Sequence, residues 1–262
     1  MTILDEIVAK NRADVERAKA ETVTAARDAA ALAMPPCRDF EAALRKAEGT
    51  ALIAEVKRAS PAKGLLNADF DPLEQARLYA ANGASAISVL TERHYFQSDP
   101  ADLARIRAAV DVPVLRKDFL FDPWQVGEAR ALGADAVLLI ATVLDAPAIC
   151  AMLAEAERFG LGHLLEVYDE ADLERALQTP ARVIGINNRD LKTFDLSLEN
   201  TRRLAAVIRR ERPDAVIVSE SGIFTGEDIR TVRGWGAHAA LVGESLMRAP
   251  DVATKVSELA SA

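Results

Sequence analysis

The sequence predicts an α/β fold in which eight parallel strands close into a (β/α)8 barrel, the TIM-barrel architecture, behind a helical N-terminal extension. Short, almost continuously apolar segments recur eight times and alternate with helical segments, which is typical of a parallel sheet covered by helices. The length of 262 residues also suits one such barrel. We therefore expect a single domain, with the extension at 1–48 and the barrel at 51–262. A doubly wound sheet is the alternative, but no G-x-G-x-x-G follows the first predicted strand.

The N-terminal extension is predicted to be helical. Leu4, Ile7 and Val8 form an apolar stripe at i, i+3 and i+4 in a helix that reaches about residue 32. The Pro35–Pro36 pair ends this helix, and Asp39 can cap a second, shorter one. Because these helices precede the first strand, we expect them to pack over one end of the barrel.

The barrel elements follow in alternation. The predicted strands are 52–56, 86–90, 112–115, 136–140, 164–167, 183–186, 215–218 and 239–242. The predicted helices are 72–82, 101–109, 123–132, 146–159, 171–178, 198–210, 226–235 and a last one near 251–259. Several helices end in Gly-Ala, and a glycine just past a helix supplies the left-handed cap that ends it.

Charge and targeting patterns exclude several classes of partner. The net charge is −8 with no basic block, which argues against nucleic acid but permits a small anionic substrate. No apolar run is long enough to span a bilayer. The N-terminus shows no signal-peptide pattern, so we expect a cytoplasmic protein without a membrane partner.

Cysteine and histidine spacing gives no sign of a metal site. Cys37 and Cys150 form no C-x-x-C motif and are too few for a disulfide scaffold. The histidines His94, His163 and His238 are scattered without metal-ligand spacing. We expect no metal, and we interpret all three histidines as structural.

Polar side chains cluster where the predicted strands end. In the first strand Glu55 and Lys57 share a face, because alternate residues of a strand point the same way. The same parity places Lys117, Glu166 and Asn187 on the inward faces of later strands. The carboxyl ends of all barrel strands meet at one face, where barrel enzymes carry their sites. The pattern predicts one shared active site.

Two glycine-containing segments predict a phosphate site. S-G-I-F-T follows the seventh strand, and V-G-E-S-L follows the eighth and opens a short helix. Gly222 and Gly243 let backbone N–H groups approach a ligand closely, and a helix N-terminus attracts anions. Barrels often bind phosphate between these two loops. Glu244, the first residue of the short helix, joins the substrate-binding candidates.

The sequence resembles the indole-3-glycerol phosphate synthase family of tryptophan biosynthesis over nearly its whole length. The motifs that carry the resemblance are A-E-V-K-R-A-S-P-A-K-G, T-E-R-H-Y-F, V-L-R-K-D-F, L-L-E-V, I-G-I-N-N-R-D-L, V-S-E-S-G-I and L-V-G-E-S-L-M. The resemblance implies a carboxy-lyase that converts 1-(2-carboxyphenylamino)-1-deoxyribulose 5-phosphate to indole-3-glycerol phosphate, carbon dioxide and water. It also implies that no metal or organic cofactor is needed.

The resemblance implies acid–base roles for four residues. Lys117 would protonate the ketone oxygen of the substrate during ring closure. Glu166 would stabilise the iminium-like nitrogen that ring closure creates. Lys57 and Glu55 are the candidate acid and base for the loss of water that follows.

Other residues would hold the substrate. Asn187 and Glu220 would orient reacting groups and sugar hydroxyls, while Arg189 would support the substrate carboxylate or the Glu–Lys network. Ser60 would hydrogen-bond the carboxylate, and Ser221 the phosphate end. The candidates for contact with the flat aromatic ring are Phe96, Phe119 and Leu191.

Two other functions stay open at this point. One is a different phosphate-binding barrel enzyme, either an isomerase or an aldolase that forms a Schiff base on Lys117. The other is a catalytically silent barrel that serves as a binding subunit, although matched acids and bases argue against silence. We expect a monomer or a weak homo-oligomer with a small phosphosugar substrate.

Overall fold

The computed structural model describes residues 3–45, 49–60, 64–65, 70–190 and 195–262. Eight parallel strands form a closed barrel in which the last strand pairs with the first. The strands, numbered along the chain, are β1 Ala51–Val56, β2 Ala86–Leu90, β3 Val114–Lys117, β4 Ala136–Ile140, β5 Gly162–Val167, β6 Val183–Asn187, β7 Val216–Glu220 and β8 Ala239–Val242. The predicted (β/α)8 barrel is confirmed.

Helices cover the outside of the barrel and extend it at the N-terminus. Those before β1 are α1 Ile3–Glu21, α2 Thr24–Ala33 and α3 Phe40–Arg45. Those after β1 are α4 Pro72–Ala81, α5 Ala101–Ala109, α6 Pro123–Ala131, α7 Ala146–Arg158, α8 Glu170–Leu177, α9 Glu199–Glu211, α10 Gly226–Gly234, α11 Glu244–Met247 and α12 Val252–Ala260. None of these described helices is both long and apolar enough to cross a membrane.

Aspartate–proline pairs start two of the barrel helices. Asp71 accepts hydrogen bonds from the backbone N–H groups at the start of α4, and Asp122 forms a capping box with Gln125 in α6. The proline that follows each aspartate has no N–H to leave unsatisfied at the first helical position. Local sequence therefore sets where these loops end and their helices begin.

The amino end of the barrel is closed by an apolar plug. Phe40 and Leu44 of α3 pack against the inward residues at the starts of the strands, among them Ala51 and Val216. Both plug side chains are almost completely buried. Because this end is filled by hydrocarbon, the barrel is left open only at its carboxyl end.

The first helix lies over the carboxyl end of the barrel. Lys19 Nζ lies 2.7 Å from Asp122 Oδ2, at the start of α6. His94 Nε2, in the loop after β2, lies 2.6 Å from Asp14 Oδ2. These contacts join α1 to two loops at the carboxyl end, whereas α3 closes the amino end. The extension packs on the barrel as expected, but it covers both ends and not one.

Several predicted boundaries are wrong, and two of them have a clear local cause. The single helix predicted up to residue 32 is two helices, because Val23 takes an extended backbone conformation (φ −65°, ψ 115°) before α2. The third strand was predicted at 112–115 but begins at Val114 and includes Lys117. Pro113 lies just before it, and a proline has no N–H to give to the ladder of hydrogen bonds.

Two histidines bind backbone groups at the amino side of the barrel, away from its open end. His163 Nε2 accepts a hydrogen bond from the N–H of Arg182 at 2.9 Å, and His238 Nδ1 accepts one from the N–H of Ile217 at 3.0 Å. Burial lowers the pKa of His163 to about 4, so its ring is neutral and can accept these protons at pH 7. Both histidines have the structural role that the sequence indicates.

Candidate active site

One pocket at the carboxyl end of the barrel contains nearly all the predicted site residues. We call it the carboxyl-end pocket. The predicted residues that line it are Glu55, Lys57, Phe96, Lys117, Phe119, Glu166, Asn187, Arg189, Glu220, Ser221, Gly222, Gly243 and Glu244. Parallel strands bring their carboxyl ends to one face, and this is why residues so distant in sequence meet here.

Two predicted residues cannot be placed in the pocket. The backbone of Ser60 belongs to a short hairpin with Gly64–Leu65, but its side chain lies outside what the structure describes. Leu191 also lies outside the described residues. Their expected contacts with the substrate stay predictions.

Glu55 and Lys57 form an ion pair at the end of β1. The distance from Lys57 Nζ to Glu55 Oε1 is 2.7 Å, and both side chains are largely buried. Burial alone would raise the pKa of Glu55, but the charges of Lys57 and Lys117 lower it by more than burial raises it. The carboxyl group of Glu55 is therefore ionised at neutral pH. The pair therefore offers an ammonium donor and a carboxylate acceptor side by side.

Lys117 lies between carboxylates from two other strands. Its Nζ is 3.5 Å from Glu166 Oε2 on β5 and 3.7 Å from Glu220 Oε2 on β7. Burial lowers the pKa of Lys117, but the charges of neighbouring carboxylates, that of Glu166 above all, raise it more, and the net result is well above the ordinary value. Lys117 is an ammonium ion at neutral pH.

Glu166 is oriented by an amide. Asn187 Nδ2 donates a hydrogen bond to Glu166 Oε1 at 3.0 Å, while Asn187 Oδ1 accepts one from the backbone N–H of Arg189. Asn200 of α9 in turn donates to the backbone carbonyl of Asn187 at 2.7 Å. The contacts fix which oxygen of Glu166 faces Lys117.

Two glycines leave the space that buried carboxylates occupy. A Cβ atom at Gly185 would overlap Glu220 Oε1, and one at Gly243 would lie 2.5 Å from Glu55 Oε1. The sequence places Gly185 on an inward face, where neighbouring strands carry apolar side chains. In the structure that space belongs to Glu220. Gly243 thus contributes to the placement of Glu55 besides its predicted contact with phosphate.

Two aromatic rings form one wall of the pocket. The centroids of Phe96 and Phe119 are 6.2 Å apart, with their planes tilted by 37°. Glu92, almost fully buried, accepts hydrogen bonds from the N–H groups of His94, Tyr95 and Phe96. It therefore holds the loop that presents Phe96. The sequence reasoning missed Glu92, although it lies in the motif T-E-R-H-Y-F, four residues before the site residue Phe96.

The loops after β7 and β8 also line the carboxyl-end pocket, where they contact each other. Ser221 and Gly222 both have positive φ angles, of 66° and 80°. Ser245 Oγ donates to the carbonyl of Ile223 at 3.1 Å and so ties the two loops together. Glu244 lies 3.6 Å from Arg189 Nη2, which balances its charge next to the pocket.

The first helix supplies a roof that the sequence reasoning did not assign to the site. Ile3, Leu4 and Ile7 of α1 line the carboxyl-end pocket together with residues of the barrel. The apolar stripe that includes Leu4 and Ile7 is visible in the sequence, but nothing local shows which part of the barrel it covers.

The fold and the pocket define a (β/α)8-barrel enzyme whose ammonium and carboxylate groups converge on one enclosed space next to an aromatic wall. The family model described as indole-3-glycerol phosphate synthase matches residues 4–259. The chain belongs to the indole-3-glycerol phosphate synthase family.

Relatives with the same description support this assignment. The chain is 53% identical to the indole-3-glycerol phosphate synthase of Roseiflexus sp. (strain RS-1), with 98% of each chain covered. It is 47% identical to that of Rhodopirellula baltica, with 96% of each covered. A solved structure of 3-hexulose-6-phosphate synthase matches with a TM-score of 0.60 at 17% identity, covering 81% of this chain and 99% of that one. The last similarity is one of fold alone.

Proposed function

We propose that the protein is a carboxy-lyase that makes indole-3-glycerol phosphate from 1-(2-carboxyphenylamino)-1-deoxyribulose 5-phosphate, with loss of carbon dioxide and water. The observation that carries the proposal is the position of Lys117. Lys117 lines the pocket with carboxylates beside its ammonium group, and the aromatic and loop-lined walls border the same space. A long substrate with a flat ring at one end and a phosphate at the other suits that arrangement.

The substrate is oriented by its two ends. Its aromatic ring lies against Phe96 and Phe119 beneath the aliphatic side chains of α1. Its phosphate lies against the backbone N–H groups of the loops that contain Gly222 and Gly243, since peptide dipoles favour an anion there. This orientation places the ketone between the ring and the phosphate, in reach of Lys117.

Ring closure uses Lys117 and Glu166. As the ring carbon attacks the ketone carbon, Lys117 gives a proton to the ketone oxygen, which becomes a hydroxyl group. The nitrogen of the substrate gains positive charge at the same time, and the carboxylate of Glu166 stabilises it. Loss of carbon dioxide then restores the electron pair to the aromatic ring.

Loss of water uses the ion pair of β1. Lys57 protonates the departing hydroxyl group, and Glu55 takes the proton from the neighbouring carbon. The 2.7 Å contact between them helps to keep Glu55 ionised before the reaction. Each step uses side chains of this chain only.

The direct test is to supply the substrate to the purified protein. We expect indole fluorescence to appear together with one equivalent of carbon dioxide. Activity should persist after dialysis against a chelator, because no step involves a metal. Absence of both products, from protein whose fold is verified by circular dichroism, would reject the proposed function.

A further inference from the structure

The carboxyl-end pocket holds more carboxylates than cations at its centre. Glu55, Glu166 and Glu220 share the space with Lys57 and Lys117. Two of the carboxylates have good partners: Glu55 pairs with Lys57 at 2.7 Å, and Glu166 accepts from the amide of Asn187 at 3.0 Å. Of the three carboxylates, Glu220 has the weakest hydrogen-bond and ion-pair partners.

Glu220 is buried, and as a carboxylate it accepts no hydrogen bond from any described residue. It is 2% exposed, and no donor in the described part of the chain reaches either of its carboxyl oxygens in hydrogen-bonding geometry. Its nearest cation is Lys117 at 3.7 Å, which is longer than a hydrogen bond. An ionised carboxylate in such a place is costly, whereas the neutral acid is tolerated.

The neighbouring carboxylates Glu166 and Glu55 also disfavour an ionised Glu220. Burial raises the pKa of Glu220, and the charge of Glu166 raises it further, while Lys117 opposes both and does not cancel them. The other charged residues of the pocket lie on every side. They are Glu55 of β1, Lys57 just after β1, Asp118 after β3, Arg189 after β6 and Glu244 after β8.

The proposed reaction needs a supply of protons. Two protons are added to the ketone oxygen, one to form the hydroxyl group and one to release water, and one proton leaves carbon. With an ionised carboxyl group on the substrate, each turnover consumes one proton. Lys117 becomes a neutral amine once it has protonated the ketone, and it must regain its proton before it can act again.

We propose that Glu220 is protonated in the resting enzyme and passes its proton to Lys117 after ring closure. This inference rests on the proposed function. In the transfer, the O–H bond of Glu220 breaks and an N–H bond forms on Lys117 Nζ, while the electron pair remains on the carboxyl oxygen. Lys117 is again an ammonium ion, and Glu220, now a carboxylate, takes a proton from water before the next turnover.

The neutral form of Glu220 also makes Lys117 a better acid. Each carboxylate near Lys117 holds its proton more firmly. With Glu220 neutral, one of these charges is absent when Lys117 must release its proton to the ketone. After the transfer, the new carboxylate favours the ammonium form, so the same group assists both halves of the cycle.

The protonation state can be tested on the full chain without substrate. Glu220→Gln is isosteric and cannot ionise, and Glu174→Gln makes the same chemical change at an exposed position of α8. At pH 7 we expect the wild-type and Glu174→Gln proteins to show the infrared C=O stretch of a buried protonated carboxyl group. The band that Glu220 contributes should be missing in Glu220→Gln. A wild-type spectrum identical to that of Glu220→Gln in this region overturns the proposal.

The transfer to Lys117 is tested by kinetics. With enzyme in excess, the first ring closure uses the proton already on Lys117, so carbon dioxide release by Glu220→Gln should be within about threefold of wild type. Its steady-state kcat should fall by about tenfold or more, with a smaller change in KM. An equal loss in both experiments, or no loss in either, overturns the transfer.

The pH profile separates proton transfer from a structural role. The wild-type kcat should fall as the pH rises through the pKa of Glu220, because the stored proton is lost, and Glu220→Gln should lack this limb. The same limb in both proteins contradicts the proposal. If wild-type protein forms no product at all, the proposed function fails, while the infrared comparison still decides whether Glu220 is protonated.

Discussion

Lys117 is held as a cation, and this determines which chemistry it can perform. A lysine that forms a Schiff base must be a neutral amine, which burial without carboxylates produces. Here Glu166 lies 3.5 Å from Nζ, and the charges of Glu166 and Glu55 raise the pKa of Lys117 above its ordinary value in spite of burial. The environment favours a proton donor over the nucleophile of an aldolase.

Lys57 is predicted to act after ring closure. We expect Lys57→Met to slow dehydration more than ring closure, by about 10²-fold or more if general acid catalysis is its main role. The measurement is single-turnover kinetics with quenched samples, examined for a decarboxylated intermediate that still carries its hydroxyl group. Lys255→Met, a change on α12 outside the pocket, is the control. Persistence of unreacted substrate without this intermediate would show that Lys57 acts earlier.

The loop that contains Gly222 is predicted to bind the phosphate. Gly222→Asp places a carboxylate there and should weaken the binding of indole-3-glycerol phosphate by about tenfold or more, measured by calorimetry. The residue has a φ of 80°, and a Cβ would press on the half-exposed side chain of Leu196. Gly160→Asp controls for backbone strain, because Gly160 also has a positive φ but lies before β5, at the opposite end of the barrel. If the two variants bind indole-3-glycerol phosphate with equal affinity, the phosphate does not bind at this loop.

Among the elements, β5 and β6 are linked at their starts by the ring of His163. Its Nε2 accepts a hydrogen bond from the N–H of Arg182, just before β6. The pKa of His163 is about 4 because of burial, against about 6.5 in an unfolded chain. As the pH falls from 6.5 towards 4, the unfolded chain binds a proton that the folded chain does not. The free energy of unfolding must therefore fall over this range.

This linkage gives a prediction for thermal stability. Between pH 7 and pH 5 the contribution of His163 should decrease by about 2 kcal/mol, which corresponds to roughly 4–8 °C in the unfolding midpoint for a chain of this size. His163→Gln keeps an acceptor that does not titrate, so its midpoint should depend less on pH. His238 has the same sign of pKa shift and remains in both proteins. Parallel pH curves for the variant and wild type would contradict this role.

Element positions could be predicted largely from the sequence, while element ends could not. Alternating apolar strands and Gly-capped helices indicate the barrel, and side-chain parity correctly places Glu55, Lys57, Lys117 and Glu166 in one pocket. The break before α2 was missed, because whether a β-branched residue such as Val23 ends a helix depends on what the helix packs against.

At the scale of the whole molecule, the pocket depends on contacts that no local pattern shows. The burial of Glu220 requires Gly185 on the adjacent strand to lack a side chain. The roof requires α1 to cross the carboxyl end, held by contacts such as that between Lys19 and Asp122. Both features arise from packing between segments that are far apart in sequence. Sequence periodicity could indicate which face of a strand or helix is buried, but not which segment packs against that face.

We propose that product formation in the barrel depends on proton donation from Lys117. The most direct measurement is indole-3-glycerol phosphate formation by Lys117→Met, beside wild type and the Lys255→Met control, with each fold verified by circular dichroism. We expect full activity in the control and a loss of about 10³-fold in kcat for Lys117→Met. Turnover by Lys117→Met at the wild-type rate would contradict it.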